Sequence, residues 1–341
     1  MNKSLVLKTK FAKSLFIIGV IVIAFFVIIA FIYTSFFSAT QSKAELEQFT
    51  ITVGNDDSRE VGEQLKNQGF IKNEKAFYIA LLGLKGINSV CVDCISSGAY
   101  KISKSMNVWQ IAKVFKKGPY MKWVIIPEGL RKEQIAEILA QTLGWNEQEK
   151  SDWVTKYTAM KYDYLEGVYF PETYLIPVNE TGLEIAQRFI NKFNEKFAPY
   201  SNKFVQENIK WTTALKIASI IQREAAGKDD MPLIAGIIWN RLLNDMKLEI
   251  DATLQYARGD TGNGWWSPIS IADKQIDSGY NTYLYKGLPP HPIANPGIDA
   301  IEAVLNPTET KCFYYLHDND RNIHCAETYE EHLENIEKYL K

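Results

Sequence analysis

Residues 98–119 read Gly98-Ala-Tyr-Lys-Ile-Ser103, Lys104-Ser-Met-Asn107, Val108-Trp-Gln-Ile-Ala-Lys-Val-Phe-Lys-Lys117 and Gly118-Pro119. This is a short strand, a turn and an amphipathic helix, stopped by a glycine and a proline that cannot continue it. The unit recurs on either side. Upstream, Phe49-Thr-Ile-Thr-Val53 alternates as a strand and Gly54-Asn-Asp-Asp-Ser58 turns. A helix over Arg59–Gln68 then ends at Gly69, with Ser58 the expected N-cap. Downstream, Trp123-Val-Ile-Ile126 leads through Pro127-Glu-Gly129 to a helix over Arg131–Leu143 closed by Gly144. Three strand–turn–helix repeats predict small α+β modules across residues 49–144.

Further upstream, Leu15–Phe37 carries no charge, and Thr34 and Ser35 are its polar residues. About 20 apolar helical residues cross a bilayer core, and the run is too long for the apolar centre of a cleaved signal. Lys3, Lys8, Lys10 and Lys13 precede it, and no acid occurs before Glu45. The positive-inside rule therefore places residues 1–13 in the cytoplasm. Residues 14–37 become a single-pass anchor in the cell membrane, and everything beyond Phe37 is extracytoplasmic. A polar linker, 38–48, joins anchor to module.

Residues 145–341 read as a second, mixed α+β domain. It is mostly helical to Lys210, interrupted by the aromatic, Gly- and Pro-punctuated segment Tyr164–Tyr174. Two strong helices follow, at about 212–226 and 232–245, then a long Gly/Pro/Asn/Tyr-rich stretch. A hairpin-like pair, Phe313–Leu316 and Asn322–Cys325, precedes a terminal helix from Thr328. The net charge of −2 over 341 residues excludes a broad nucleic-acid footprint. Cys91-Val-Asp-Cys94 and the separated Cys312 and Cys325 suit disulfides or inert thiols better than a zinc site, although His317 and His324 lie near the latter pair. No metal or cofactor is expected.

The chemistry centres on the first strong helix. At 100° per residue, Ile217, Ile220 and Ile221 form one apolar arc, and Glu224 falls within about 20° of Ile217. Lys216, Ser219, Gln222 and Arg223 lie on the other side. Burial of a carboxyl without a cationic partner raises its pKa. A carboxyl protonated near neutral pH is what glycosidic cleavage needs for the leaving oxygen; pairing with Arg241 of the next helix is the structural alternative. Asn240 shares a stripe with Leu233 and Ile237. Leu248-Glu-Ile-Asp251 alternates like a strand, with Glu249 and Asp251 on one face. Tyr280-Asn-Thr-Tyr283 precedes Gly287-Leu-Pro-Pro-His-Pro-Ile-Ala-Asn-Pro-Gly297, a proline-stiffened wall suited to lining a cleft.

These residues resemble the YceG family, the endolytic murein transglycosylases. The resemblance rests on Ala218-Ser-Ile-Ile-Gln-Arg-Glu-Ala225, Asn240-Arg-Leu242, Asp251, Tyr280-Asn-Thr-Tyr283, Gly287-Leu-Pro-Pro290 and Ile293-Ala-Asn-Pro-Gly297. Leu165-Glu-Gly167 with Phe170-Pro-Glu-Thr-Tyr174 adds to it, as does the order of anchor, LysM-like module and catalytic domain. It implies cleavage between N-acetylmuramic acid and N-acetylglucosamine in nascent peptidoglycan, leaving 1,6-anhydro ends and terminating elongation. Glu224 is then the catalytic acid. Asn240, Asp251, Tyr280, Asn281, Thr282, Tyr283, Pro290 and Asn295 are expected to bind substrate, and cell-wall synthesis enzymes are expected partners. Two departures stand out: Gln222, where many relatives carry Glu, and His291, where Gly is frequent. A muramidase-type hydrolase and a non-catalytic wall-binding scaffold are the alternatives. A pyridoxal phosphate lyase would need a Schiff-base lysine and a phosphate cradle that the sequence does not offer.

Overall fold

The computed structural model describes residues 3–54, 57–83 and 95–341, with side chains from Lys13 onward. Cys91, Cys94 and the centre of the Gly54–Ser58 turn lie outside the described residues. Two compact units divide the chain: Met1–Trp123 with Leu175–Val178, and Val124–Tyr174 with Asn179–Lys341.

The first unit begins with α1 (Lys3–Ile32), whose end widens into a π-helical turn at Tyr33–Phe37. Within Lys13–Phe37 an 18-residue stretch has a mean hydropathy of 3.5 and is not buried against protein, so by length and composition this helix can cross a membrane. There follow β1 (Glu47–Ile51), α2 (Ser58–Asn67), α3 (Glu74–Gly83), β2 (Gly98–Ile102), α4 (Val108–Lys117) and β3 (Met121–Ile125). The chain leaves this unit through β3 and returns through β4 (Thr173–Pro177). The sheet order is β1-β2-β3-β4, with β1 and β2 antiparallel in the register Phe49↔Tyr100. Phe49, Phe77, Tyr100 and Phe115 fill the core between the sheet and its helices. Gly98, with φ +143°, is required: a Cβ there would strike Pro119 and the Met121 carbonyl, where α4 hands over to β3.

Two expectations change, and one helix has none. Asp57, not Ser58, caps α2, its carboxylate accepting the Arg59 N–H at 2.7 Å. Helix α3 carries no sequence expectation, because its apolar residues are almost continuous and leave no 3.6-residue stripe to read. The third strand–turn–helix repeat is divided, β3 joining the first sheet while its helix belongs to the second unit.

The second unit contains α5 (Lys132–Leu143), α6 (Glu147–Asp152), α7 (Gly182–Gln206), α8 (Trp211–Glu224), α9 (Met231–Leu243), α10 (Asp251–Arg258) and α11 (Ile298–Leu305). A hairpin of β5 (Tyr314–His317) and β6 (Ile323–Ala326) leads to α12 (Tyr329–Leu340), capped by Thr328. Buried Ala214, Ile217, Ala218, Ile220 and Ile221 of α8 pack against α9 and α11, giving this unit its centre. The strand expected at 248–251 is absent. Leu248 and Ile250, on one face of the alternation, are both buried, but among the described residues no strand pairs with them. Glu249 takes φ +52°, and Asp251 opens α10.

Candidate active site

Glu224 is the last residue of α8, and the backbone turns extended at Ala225. The carboxyl is embedded among protein atoms although part of the residue remains accessible. It accepts the Tyr315 phenol at 2.6 Å. Burial pushes its pKa up, and the nearby Asp251 carboxylate pushes the same way. The Tyr315 hydroxyl, His317 and the Ala252 N–H at the start of α10 pull it down, and burial prevails. The C-terminal end of α8 adds a negative helix-dipole end beside the carboxyl, also unfavourable to charge. Arg241 does not pair with Glu224. It donates to the carbonyls of Phe313 (2.6 Å), Lys247 (3.0 Å) and Leu248 (2.8 Å), with Glu249 3.5 Å away.

How Tyr315 reaches Glu224 follows from α9. Gly236 presents bare backbone to the Thr308 carbonyl, where a Cβ would collide. One turn on, Asn240 Nδ2 donates to the carbonyls of Thr310 (2.8 Å) and Cys312 (3.0 Å). Arg241 takes Phe313. Thus α9 seats the segment entering β5 along its length. The Cys312–Cys325 disulfide then ties that segment to β6, where Cys325 pairs with Tyr315 in register. Asn240, expected to meet substrate, has its amide engaged in building this support.

The other expected residues divide. Tyr283 donates to Asp251 Oδ1 at 2.5 Å, so this pair borders Glu224 together with Tyr315 and His317. Asn281 is wholly buried, its amide bonded to the Lys274 and Ile276 carbonyls and to the Tyr283 N–H. Buried Thr282 accepts the Ile250 N–H at 3.0 Å and meets Thr253 at 2.8 Å. Asn295, also fully buried, receives the Tyr169 N–H at 2.8 Å and donates to the Leu130 carbonyl (2.9 Å) and Glu166 (2.6 Å). Asn281, Thr282 and Asn295 are so enclosed and partnered that they act as supports of the walls, while half-buried Asn240 spends its Nδ2 on the segment entering β5. Tyr280 and Pro290 stay partly accessible, Tyr280 packing on Tyr256 with ring centres 4.7 Å apart.

Sequence reasoning missed Tyr315, Glu166 and an aromatic–cation series. Arg223, beside Glu224, places its guanidinium 4.0 Å from the Trp266 ring centre. Arg131 lies between Tyr256 (4.0 Å) and Trp265 (4.3 Å). The Trp265-Trp266 pair amid Gly and Asn is the signal that pointed there. Glu166, fully buried, receives the Lys132 N–H at α5's first residue and the Asn295 amide. Burial, then the Glu133 carboxylate, push its pKa up to about 8.

Gln222 accepts the Gly297 N–H at 3.0 Å and also hydrogen-bonds Glu128, whose pKa is raised by burial and by Asp299. An acid at 222 would add a third carboxylate there; the amide avoids that repulsion. His291 is buried edge-on against Tyr162, 4.3 Å between ring centres, so it packs inside the wall. A hollow of about 750 Å³ lined by Phe193, Phe197, Phe204 and Trp211 lies elsewhere in this unit and includes none of the Glu224 group. Among the described residues, no cluster of His, Cys, Asp and Glu could hold a metal ion.

These features define a class: a mixed α+β protein with an apolar N-terminal helix and two shielded glutamic acids, Glu166 and Glu224, in its second unit. The chain belongs to the YceG-like family, whose pattern matches residues 49–338. It is 30% identical over 300 residues to an endolytic murein transglycosylase of Bacillus subtilis, covering 81% of this chain and 80% of that one. It is 28% identical over 318 residues to an endolytic murein transglycosylase of Streptococcus pneumoniae, covering 83% of this chain but spanning only 56% of the relative's length. The crystal structure of a yceG-like protein of Listeria monocytogenes is 26% identical, covers 86% of this chain and 99% of that chain, and gives a TM-score of 0.58.

Proposed function

We propose that the protein is an endolytic lytic transglycosylase, anchored in the cell membrane by α1, with both compact units outside. It cleaves the bond between N-acetylmuramic acid and N-acetylglucosamine within peptidoglycan strands. The observation that carries this reading is the Glu224 carboxyl, buried at the end of α8 with Tyr315 as its hydroxyl partner. Kept protonated by burial, Glu224 donates its proton to the leaving glycosidic oxygen. As a carboxylate it then removes the proton of the muramic acid 6-hydroxyl, whose oxygen closes on C1 to form the 1,6-anhydro ring. The Tyr315 hydroxyl stabilises that carboxylate. Tyr283 and Asp251 line the same place and orient the sugar. The β1–α2–α3–β2 portion acts as a LysM-like grip on the glycan, and wall-synthesis enzymes that supply nascent strands are the partners.

Asp251 favours one competing reading. A second carboxylate beside the acid is the equipment of a muramidase, which would activate water or form a covalent intermediate. Digestion of purified glycan strands by the full-length enzyme, with the fragments weighed, separates the two. Anhydro ends, absent with Glu224→Gln, support transglycosylation; reducing ends that require Asp251 overturn it in favour of hydrolysis.

A further inference from the structure

The junction between α1 and the first unit is built as a solid joint. Ser38–Gln48 has the composition of a tether, yet its polar groups are used. The Thr40 and Gln41 N–H groups donate to the Lys104 carbonyl at 3.2 and 3.0 Å, and the Thr40 hydroxyl donates to the Gly69 carbonyl at 2.7 Å. Ser103 donates to the Ala44 carbonyl at 2.9 Å. Lys72, just before α3, places its ammonium 2.8 Å from both the Thr34 carbonyl and the Ser38 hydroxyl, joining the last turn of the apolar helix. Phe37 ends the apolar span and stacks on Trp109 of α4, ring centres 6.0 Å apart. Trp109 in turn lies against Gly83, the last residue of α3.

Both ends of α3 therefore touch the end of the apolar span, through Lys72 at one and Trp109 at the other, and α3 packs on the Tyr33–Phe37 turn. A helix so placed lies across the level at which the span leaves the hydrocarbon. Its outer side carries apolar side chains: Tyr78 is 36% and Ile79 51% exposed, and Trp109 beside its end is 38% exposed. Lys75 on α3 and Lys113, one turn beyond Trp109, are exposed among them. Indole rings, aliphatic side chains and lysines at this depth are what the headgroup region of a bilayer accepts.

We propose that α3 and Trp109 form an interfacial foot by which the first unit rests on the outer membrane surface, continuous with the anchor. The lipid takes up Ile79 and the Trp109 ring, while Lys75 and Lys113 meet anionic headgroups. The inference rests on α1 spanning the membrane. Its consequence is that the first unit stands at a set height above the lipid.

The test uses the full chain in nanodiscs containing phosphatidylglycerol, with Cys91 and Cys94 replaced by serine. A polarity-sensitive fluorophore is attached at Ile79→Cys or, as the control, at Val53→Cys, beyond the end of β1 away from the linker. Lipids carrying a nitroxide near the headgroup should quench the Ile79 probe at least threefold more than the Val53 probe. Equal quenching of the two, in protein that resists alkaline carbonate extraction, would leave the anchor standing and overturn the foot. Release of the protein by carbonate would instead overturn the anchor, and the foot with it.

Discussion

Tyr315 holds its phenolic oxygen 2.6 Å from Glu224 Oε2, although the two residues are 91 positions apart in the chain. The phenol is the donor, so it stabilises the charged form of an acid whose surroundings otherwise favour the neutral one. Burial and the Tyr315 hydroxyl thus set the proton affinity of Glu224 from two opposed directions.

The first prediction follows from that opposition. In the proposed mechanism Glu224 must carry its proton to begin the reaction, so activity is present below its folded pKa and lost as pH rises through it. Tyr315→Phe removes a contribution that lowers this pKa. The alkaline limb of kcat/KM should therefore move to higher pH, while kcat falls because the carboxylate intermediate loses its partner. Glu224→Gln should lower kcat/KM by about 10³-fold at every pH. A pH–rate profile with strands of uniform length checks both, and a limb that moves to lower pH in Tyr315→Phe contradicts the assignment.

The second concerns Asn240, whose amide bridges two carbonyls on the way to β5. Asn240→Ala leaves these part-buried carbonyls without their donor and should cost about 1–3 kcal/mol. The accompanying change is local: faster amide exchange over 310–317 and reduced kcat. A substrate-contacting residue would instead raise KM with exchange unaltered. Denaturant unfolding, hydrogen exchange and steady-state kinetics on one sample decide between these roles.

The third concerns Cys312–Cys325, which closes a loop of 13 residues around the hairpin carrying Tyr315. The paired Cys312→Ser, Cys325→Ser variant should lose about 2–4 kcal/mol of stability. Because the hairpin stays hydrogen-bonded from Tyr314 to His317, the enzyme should retain activity at low temperature. Inactivation on warming should come earlier than in the parent, and a thermal inactivation series measures it.

Much of this was legible beforehand, for identifiable reasons. The arc of Ile217, Ile220 and Ile221 extends to Glu224 because a helix repeats its face every seven residues, and all three isoleucines are fully buried. Leu248 and Ile250 do share a face, and both are buried, but they form no strand. Alternation reports side-chain direction, whereas pairing depends on where the backbone groups go. Here the Leu248 carbonyl goes to Arg241 and the Ile250 N–H to Thr282. Asn281 and Asn295 show the same limit: an amide is chemically suited to a sugar hydroxyl and equally to a neighbouring carbonyl. Only the fold places the carbonyl closer. Tyr315 carried no local signal, since its partner comes from a distant helix.

The last prediction tests Glu166, the second buried acid. Its folded carboxyl keeps its proton up to about pH 8, because it is enclosed and faces Glu133, against which the Lys132 N–H and the Arg131 charge are insufficient. Unfolded, it ionises near pH 4.5, as an ordinary glutamate does. Below that pH both states are protonated, and this group's contribution is fully present. Between 4.5 and 8 the unfolded chain releases the proton while the folded one retains it, so stability declines as pH rises. Above 8 both are ionised and the slope vanishes. Glu166→Gln, with a neutral group of the same shape facing Asn295, should fold and lose this decline. Glu166→Ala should instead lose about 1–3 kcal/mol at all pH values, since one Asn295 N–H and the Lys132 N–H lose their acceptor. Urea midpoints measured from pH 5 to 9 resolve the three proteins, and an unchanged slope in Glu166→Gln would show that this carboxyl ionises in the folded state like any exposed acid.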